Sequence, residues 1–152
     1  MRRIPLFAVL ALAVGCGTSD PQAAYRYTGP PAPPTLGAQT LASAEEITGA
    51  LTGNTLVAVT QDGVRWARHI KSGGYFTGYT FPKTPPAQGQ QWTFARGVWR
   101  ADAGRLCFRN EEVRQENCVK VATAPGVLHA YNEKDGAWQF SAEVRPGNPF
   151  EL

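Results

Sequence analysis

The chain has 152 residues, 43% hydrophobic and 18% charged, a balance that excludes a wholly disordered protein and suits a single domain. Fifteen basic residues against twelve acidic ones give +3; setting aside Arg2 and Arg3, which fall in a segment read below as removed, leaves thirteen against twelve, or +1. That is no footprint for nucleic acid, and no apolar run reaches the ~20 residues a membrane-spanning helix needs.

Met-Arg-Arg followed by the apolar stretch Ile4 to Val14 and then Gly15-Cys16 has the basic head and apolar middle of a secretory signal peptide, assigned here to residues 1–15. Two cleavage chemistries compete at its end. Ala11-Leu12-Ala13 fits ordinary small-x-small processing and would release a soluble periplasmic or secreted protein. Ala13-Val14-Gly15-Cys16 resembles the bacterial lipobox, with Ala where Leu is commoner, and predicts that the Cys16 thiol is lipidated and anchors the protein to a membrane. Residues 16–42 favour the second reading, because Pro21, Pro30, Pro31, Pro33 and Pro34 among Gly, Ala and Thr make an extended tether that cannot bury a core. Gly17 after Cys16, rather than Asp, points by analogy with bacterial lipoproteins to the periplasmic face of the outer membrane.

Lipidation of Cys16 also resolves the odd count of three cysteines. Cys107 and Cys118 then pair in an oxidising compartment. Placed opposite each other in an antiparallel hairpin, they set Leu106 against Val119, Phe108 against Asn117, Arg109 against Glu116 and Arg105 against Lys120. Leu106, Phe108, Val119 and Val121 fall on one face and both cysteines on the other. A two-cysteine metal site would need further ligands, and neither His69 nor His129 has zinc-motif spacing, so no metal or cofactor is expected.

The folded domain is expected over 43–152. Ser43 with Glu46 three positions on makes a capping box, and Ile47 and Leu51 a short apolar stripe ending at Gly53, which predicts a leading helix over 43–52. Beyond it the period is two: Thr55–Val59, Val64–Ile70, Gly74–Phe81, Gln91–Ala95, Val98–Ala101, Arg105–Arg109, Asn117–Ala122, Val127–Tyr131 and Ala137–Val144. Eight or nine short strands joined by tight Gly/Pro turns leave no room for crossover helices, so the fold is mainly β, an antiparallel meander. Closure removes its two edges, which favours a small up-and-down, lipocalin-like barrel with the helix at one mouth or across the surface over a two-sheet sandwich. Trp138, Phe140, Ala142 and Val144 alternate with polar residues; Arg68, on the apolar face with Trp66 and Ile70, is the exception and needs a rim position or a partner.

The order of Leu51-Thr52-Gly53-Asn54-Thr55, Gly97-x-Trp99 ahead of Leu106-Cys107, Cys118, and Pro146-Gly147-Asn148-Pro149 resembles a family of small exported bacterial proteins of unassigned function. The resemblance covers roughly Leu51 to Leu152. It implies a compact, disulfide-bonded β-domain and no particular reaction.

No nucleophile elbow, phosphate-binding glycine loop, His-Glu-x-x-His or dinucleotide fingerprint occurs in the chain, so no catalytic residue is assigned and the protein is not expected to be an enzyme. His129, on the face of Val127 and Tyr131, is expected to point into the barrel, and His69 to be a solvated surface residue. The expected role is a lipid-anchored, non-catalytic module that binds an envelope protein partner. It would engage through the hairpin loop Asn110 to Gln115, with Glu111, Glu112 and Arg114, or through the proline-bearing loop Pro82 to Gln90, with Trp99, Arg96 and Arg100 as the candidate outer cluster beside them. The alternatives are a barrel that holds a small apolar ligand, favoured by a cavity of several hundred cubic ångströms, and an inhibitor of a protease or lysozyme. The ring content itself argues for a filled interior.

Overall fold

The computed structural model describes residues 42–81 and 93–152; the signal segment, Cys16, the expected tether up to residue 41 and the loop Pro82 to Gln90 lie outside them, while Ala42, placed at the end of that tether, is buried in the domain. One helix, α1 (Ala44–Leu51), precedes eight strands: β1 (Thr55–Thr60), β2 (Arg65–Lys71), β3 (Tyr75–Phe81), β4 (Thr93–Asp102), β5 (Arg105–Asn110), β6 (Asn117–Ala124), β7 (Val127–Tyr131) and β8 (Trp138–Arg145). Each strand runs antiparallel to the next, and β1 pairs with β8 from Thr55↔Arg145 to Thr60↔Phe140, closing the barrel. Closure leaves every strand with two neighbours, which settles the architecture against the sandwich.

The nine apolar runs become eight strands because Gly97 joins two of them instead of separating them. A Cβ at Gly97 would stand 2.1 Å from the Arg109 backbone oxygen. Glycine there lets β5 approach β4 closely, so one ten-residue strand runs through the position.

The capping box forms as its residues dictate. Ser43 Oγ accepts from the Glu46 amide at 3.2 Å and Glu46 Oε2 accepts from the Ser43 amide at 2.6 Å. The helix buries Ile47 and Leu51 in one cluster with Leu56, Ile70, Leu106, Val121 and Leu128. Ala42 ties this end together, its amide donating to Val121 and its carbonyl accepting from Gly104, while the Gly53 amide donates to Ile70. The helix therefore plugs the mouth where the β2–β3, β4–β5 and β6–β7 turns lie. At about 1.5–3 kcal/mol for each large apolar side chain withdrawn from water, this plug is a main contributor to stability.

Cys107 and Cys118 are bonded directly across β5 and β6, with Leu106↔Val119, Phe108↔Asn117 and Arg105↔Lys120 in register. The ladder stops at Phe108↔Asn117, so Arg109 does not face Glu116 within it. Leu106, Phe108, Val119 and Val121 line the interior and the disulfide lies on the outer wall.

Two placements differ from the alternation read in the sequence. A bulge sets Tyr131 opposite Trp138 but Ala130 opposite Phe140. The extra residue turns Trp138 to the outer wall, away from Phe140 and Ala142, and its Nε1 donates to Ser141 Oγ at 3.1 Å. His129 also stands outside: its neighbours Leu128 and Ala130 are the inward residues of β7, and His129 pairs with Ser141.

A second, smaller apolar cluster sits on the outer wall. Val57, Ala67 and Phe81 are covered by Phe150 and Leu152, which fold back beyond the Pro146 to Pro149 turn. These last residues lie across the side of the barrel and not at its end.

Candidate functional site

The mouth opposite α1 is ringed by the β1–β2 turn, the β5–β6 connection and the β7–β8 turn. Just inside it lies a cavity of about 220 Å³. Its walls are the rings of Trp66, Phe76, Phe108 and Phe140, packed edge to face as Trp66 on Phe140 (centroids 5.2 Å) and Phe76 on Phe108 (5.4 Å). Asn110, Val113, Gln115 and Asn117 complete it.

Arg68 reaches into this cavity from the middle of β2. Strand alternation dictates its direction: Trp66 and Ile70 are inward residues of β2, and Arg68 lies between them. Its Nη1 donates to the carbonyls of Ala67 (3.0 Å) and Tyr79 (2.7 Å), and its Nη2 to Thr80 Oγ1 (2.8 Å). Its Cζ stands 5.6 Å from the ring centres of both Trp66 and Phe76, a cation between two π faces. All these partners are neutral. Among the described residues no carboxylate pairs with Arg68, and burial draws its pKa down to about 10, which leaves it charged at neutral pH.

The residues expected to form an outer interaction cluster do not come together. Trp99 is inward, 8% exposed, and donates from Nε1 to the Lys71 carbonyl. The sequence signal was present: with Cys107 facing Arg100, the inward Phe108 must face Trp99. Arg100 and Arg96 are on the outer wall, each occupied by an acid. Arg100 is held bidentate by Glu116 through Nε (2.9 Å) and Nη2 (2.8 Å), and Arg96 pairs with Glu111. Arg105 bonds Asp102 and Glu133. These contacts hold Glu116 and Asp102 below the usual carboxylate range, chiefly through the arginine hydrogen bonds. Glu112 and Arg114 sit at the exposed tip of the β5–β6 connection beside Val113, which is 48% exposed.

Two other constellations bear on chemistry. His129 Nδ1 lies 2.8 Å from Ser141 Oγ, but Ser141 is 1% exposed and also accepts from Trp138. Burial pushes the His129 imidazole below its ordinary value. Among the described residues, the grouping able to bring three metal ligands together is Cys107, Glu116 and Cys118, and both sulfurs are committed to the disulfide.

The chain matches no known family model, no curated protein and no solved structure. Larger hollows of about 340, 390 and 440 Å³ lie outside it, beside Phe94, Arg96 and Glu112, beside Arg109, Glu111 and Arg114, and beside Thr60, Asp62 and Gln139. The mouth cavity differs from all three in joining a wall of four rings to a cation that has only neutral partners.

Proposed function

We propose that this chain is a lipid-anchored envelope protein of the non-catalytic kind, a rigid barrel whose far mouth binds a small molecule. The observation that carries this reading is the cavity around Arg68. One end of the barrel is plugged by α1, and the other keeps a recess walled by four rings. Its volume exceeds the ~150 Å³ of engineered apolar cavities that accept benzene and falls below the ~300–1,000 Å³ of drug-sized pockets, so the occupant is of fragment size. The reading as a protein-interaction module rests on the exposed tip Glu111 to Arg114. It draws no support from Arg96 and Arg100, whose charges are already met by acids.

Two measurements test the proposal. Mass spectrometry of membrane-extracted protein is expected to show a diacylglyceryl group on Cys16; an unmodified soluble form beginning at Val14 removes the anchor from the account. NMR mapping with a library of fragment-sized probes is expected to shift signals of Trp66, Asn110 and Asn117. Probes that scatter over the outer wall, or that shift only residues 111–114, overturn the mouth as the site.

A further inference from the structure

We infer that the mouth cavity is a site for a small monocarboxylate with an apolar body about the size of one ring, its carboxylate seated on Arg68. The inference rests on the reading of the mouth as a binding site and adds the class of its ligand.

A guanidinium carries five N–H donors. The bonds to Ala67, Tyr79 and Thr80 use three of them, which leaves Nε–H and one hydrogen of Nη2 for an incoming acceptor. Those three bonds, with Trp66 and Phe76 on either side of Cζ, hold the group in place before any ligand arrives. Such pre-organisation lowers the ordering cost of binding. A half-buried charge whose partners are all neutral gains from an anion, because the solvation it has given up is not otherwise replaced.

Among the described residues no carboxylate pairs with Arg68 to supply that anion. Glu111 is paired with Arg96, Glu116 with Arg100 and Glu133 with Arg105, Asp62 accepts from Thr60 and Asp135 from the Ala137 amide, and Glu112 is exposed at the tip of the β5–β6 connection with no ion pair to Arg68. The stretch 82–92 between β3 and β4 contains neither Asp nor Glu in its sequence.

Charge and lining together select the class. One cation balances one negative charge. A phosphate dianion would leave a second charge against Trp66, Phe76, Phe108 and Phe140, with only the amides of Asn110, Gln115 and Asn117 to meet it. The four rings call for an apolar body, and about 220 Å³ holds roughly one ring or a six-carbon chain but no long acyl tail.

The test compares matched probes on the purified full-length protein by NMR titration: benzoate against benzyl alcohol and benzylamine, hexanoate against hexanol, and inorganic phosphate. The acids are expected to bind at Trp66 about tenfold or more tightly than the matched alcohols, as for a hydrogen bond to a charged group, with the amine and phosphate weaker still. Arg68→Met is expected to lose that preference while still admitting benzyl alcohol. Arg68→Lys keeps the charge but not the fork, and is expected to retain part of the preference, which serves if the Met variant does not fold. Acid and alcohol binding equally at Trp66 overturns the assignment of class and leaves the mouth as a site. Phosphate binding as tightly as benzoate does the same. No probe shifting any mouth residue overturns both.

Discussion

The Thr55 hydroxyl donates a 2.7 Å hydrogen bond to the carbonyl of Gly147, 92 residues further along the chain. Beside it the Gly147 amide donates to Asn54 Oδ1 at 3.2 Å, so the Gly-Asn-Thr opening and the Pro-Gly-Asn-Pro closing clasp each other where β1 leaves the helix. Thr55 is fully buried, and with its one proton given to Gly147 it accepts from Nδ1 of His69, 3.3 Å away. His69 is thus a bonded member of the outer wall, where a solvated surface residue was expected. The clasp also aims Phe150 and Leu152 at Val57, Ala67 and Phe81.

Thr55→Val keeps the shape and removes the donor, leaving the Gly147 carbonyl without it. The expected cost is about 1–2 kcal/mol, read as a fall of about 5–10 °C in thermal midpoint. An unchanged midpoint would show that the closing segment contributes nothing to the stability of the barrel.

Two glycine-to-alanine changes should have opposite signs. At Gly78, opposite Arg68 in β3, a Cβ would stand 1.9 Å from the Ala67 backbone oxygen. Gly78→Ala must force β2 and β3 apart and is expected to cost about 2–3 kcal/mol in denaturant unfolding. At Gly49, inside α1, a Cβ meets nothing within 4 Å, so Gly49→Ala is expected to stabilise by about 0.5–1 kcal/mol. Equal effects would contradict the close packing of β2 on β3.

The disulfide closes a short loop, with a sequence separation of 11. Cys107→Ala with Cys118→Ala is expected to lower stability by about 3 kcal/mol on the chain-entropy account. The comparison is the denaturant midpoint of the double variant against the oxidised protein. A loss below about 1 kcal/mol would mean that the ladder and the inner residues Leu106 and Val119 already hold β5 on β6.

His129 supplies a pH dependence whose sign follows from its burial. Its folded pKa lies below the unfolded value near 6.5, so the unfolded chain binds the proton more readily. The contribution of His129 is complete above about pH 6.5 and is lost as the pH falls from there toward the folded pKa. Unfolding midpoints between pH 8 and 5 should decline on the acid side, and His129→Gln should flatten that decline. A slope unchanged in the variant would place the titrating group elsewhere.

What could be read in advance was local. Ser43 and Glu46 marked the start of the helix because a capping box needs only side chains three residues apart. Cys107 and Cys118 set the register of β5 on β6 because a disulfide holds two strands at one known pairing, and alternation then assigned Leu106, Phe108, Val119 and Val121 to the interior. Arg68 was recognisable as the charged residue on an apolar face. Gly97 misled because glycine as a strand break and glycine as a point of close approach are written identically.

Alternation and cysteine spacing thus determined the strands, the disulfide pairing and which face of β2 carries Arg68. Only the tertiary structure decided that β1 meets β8, that one extra residue in β8 turns Trp138 to the outer wall beside Ser141 and His129, and that Arg68 lies between Trp66 and Phe76 beside Phe108 and Phe140. The physical reason is range. Period and spacing act between neighbours in sequence, whereas closure, bulging and the enclosure of a cation depend on which distant strands share a face.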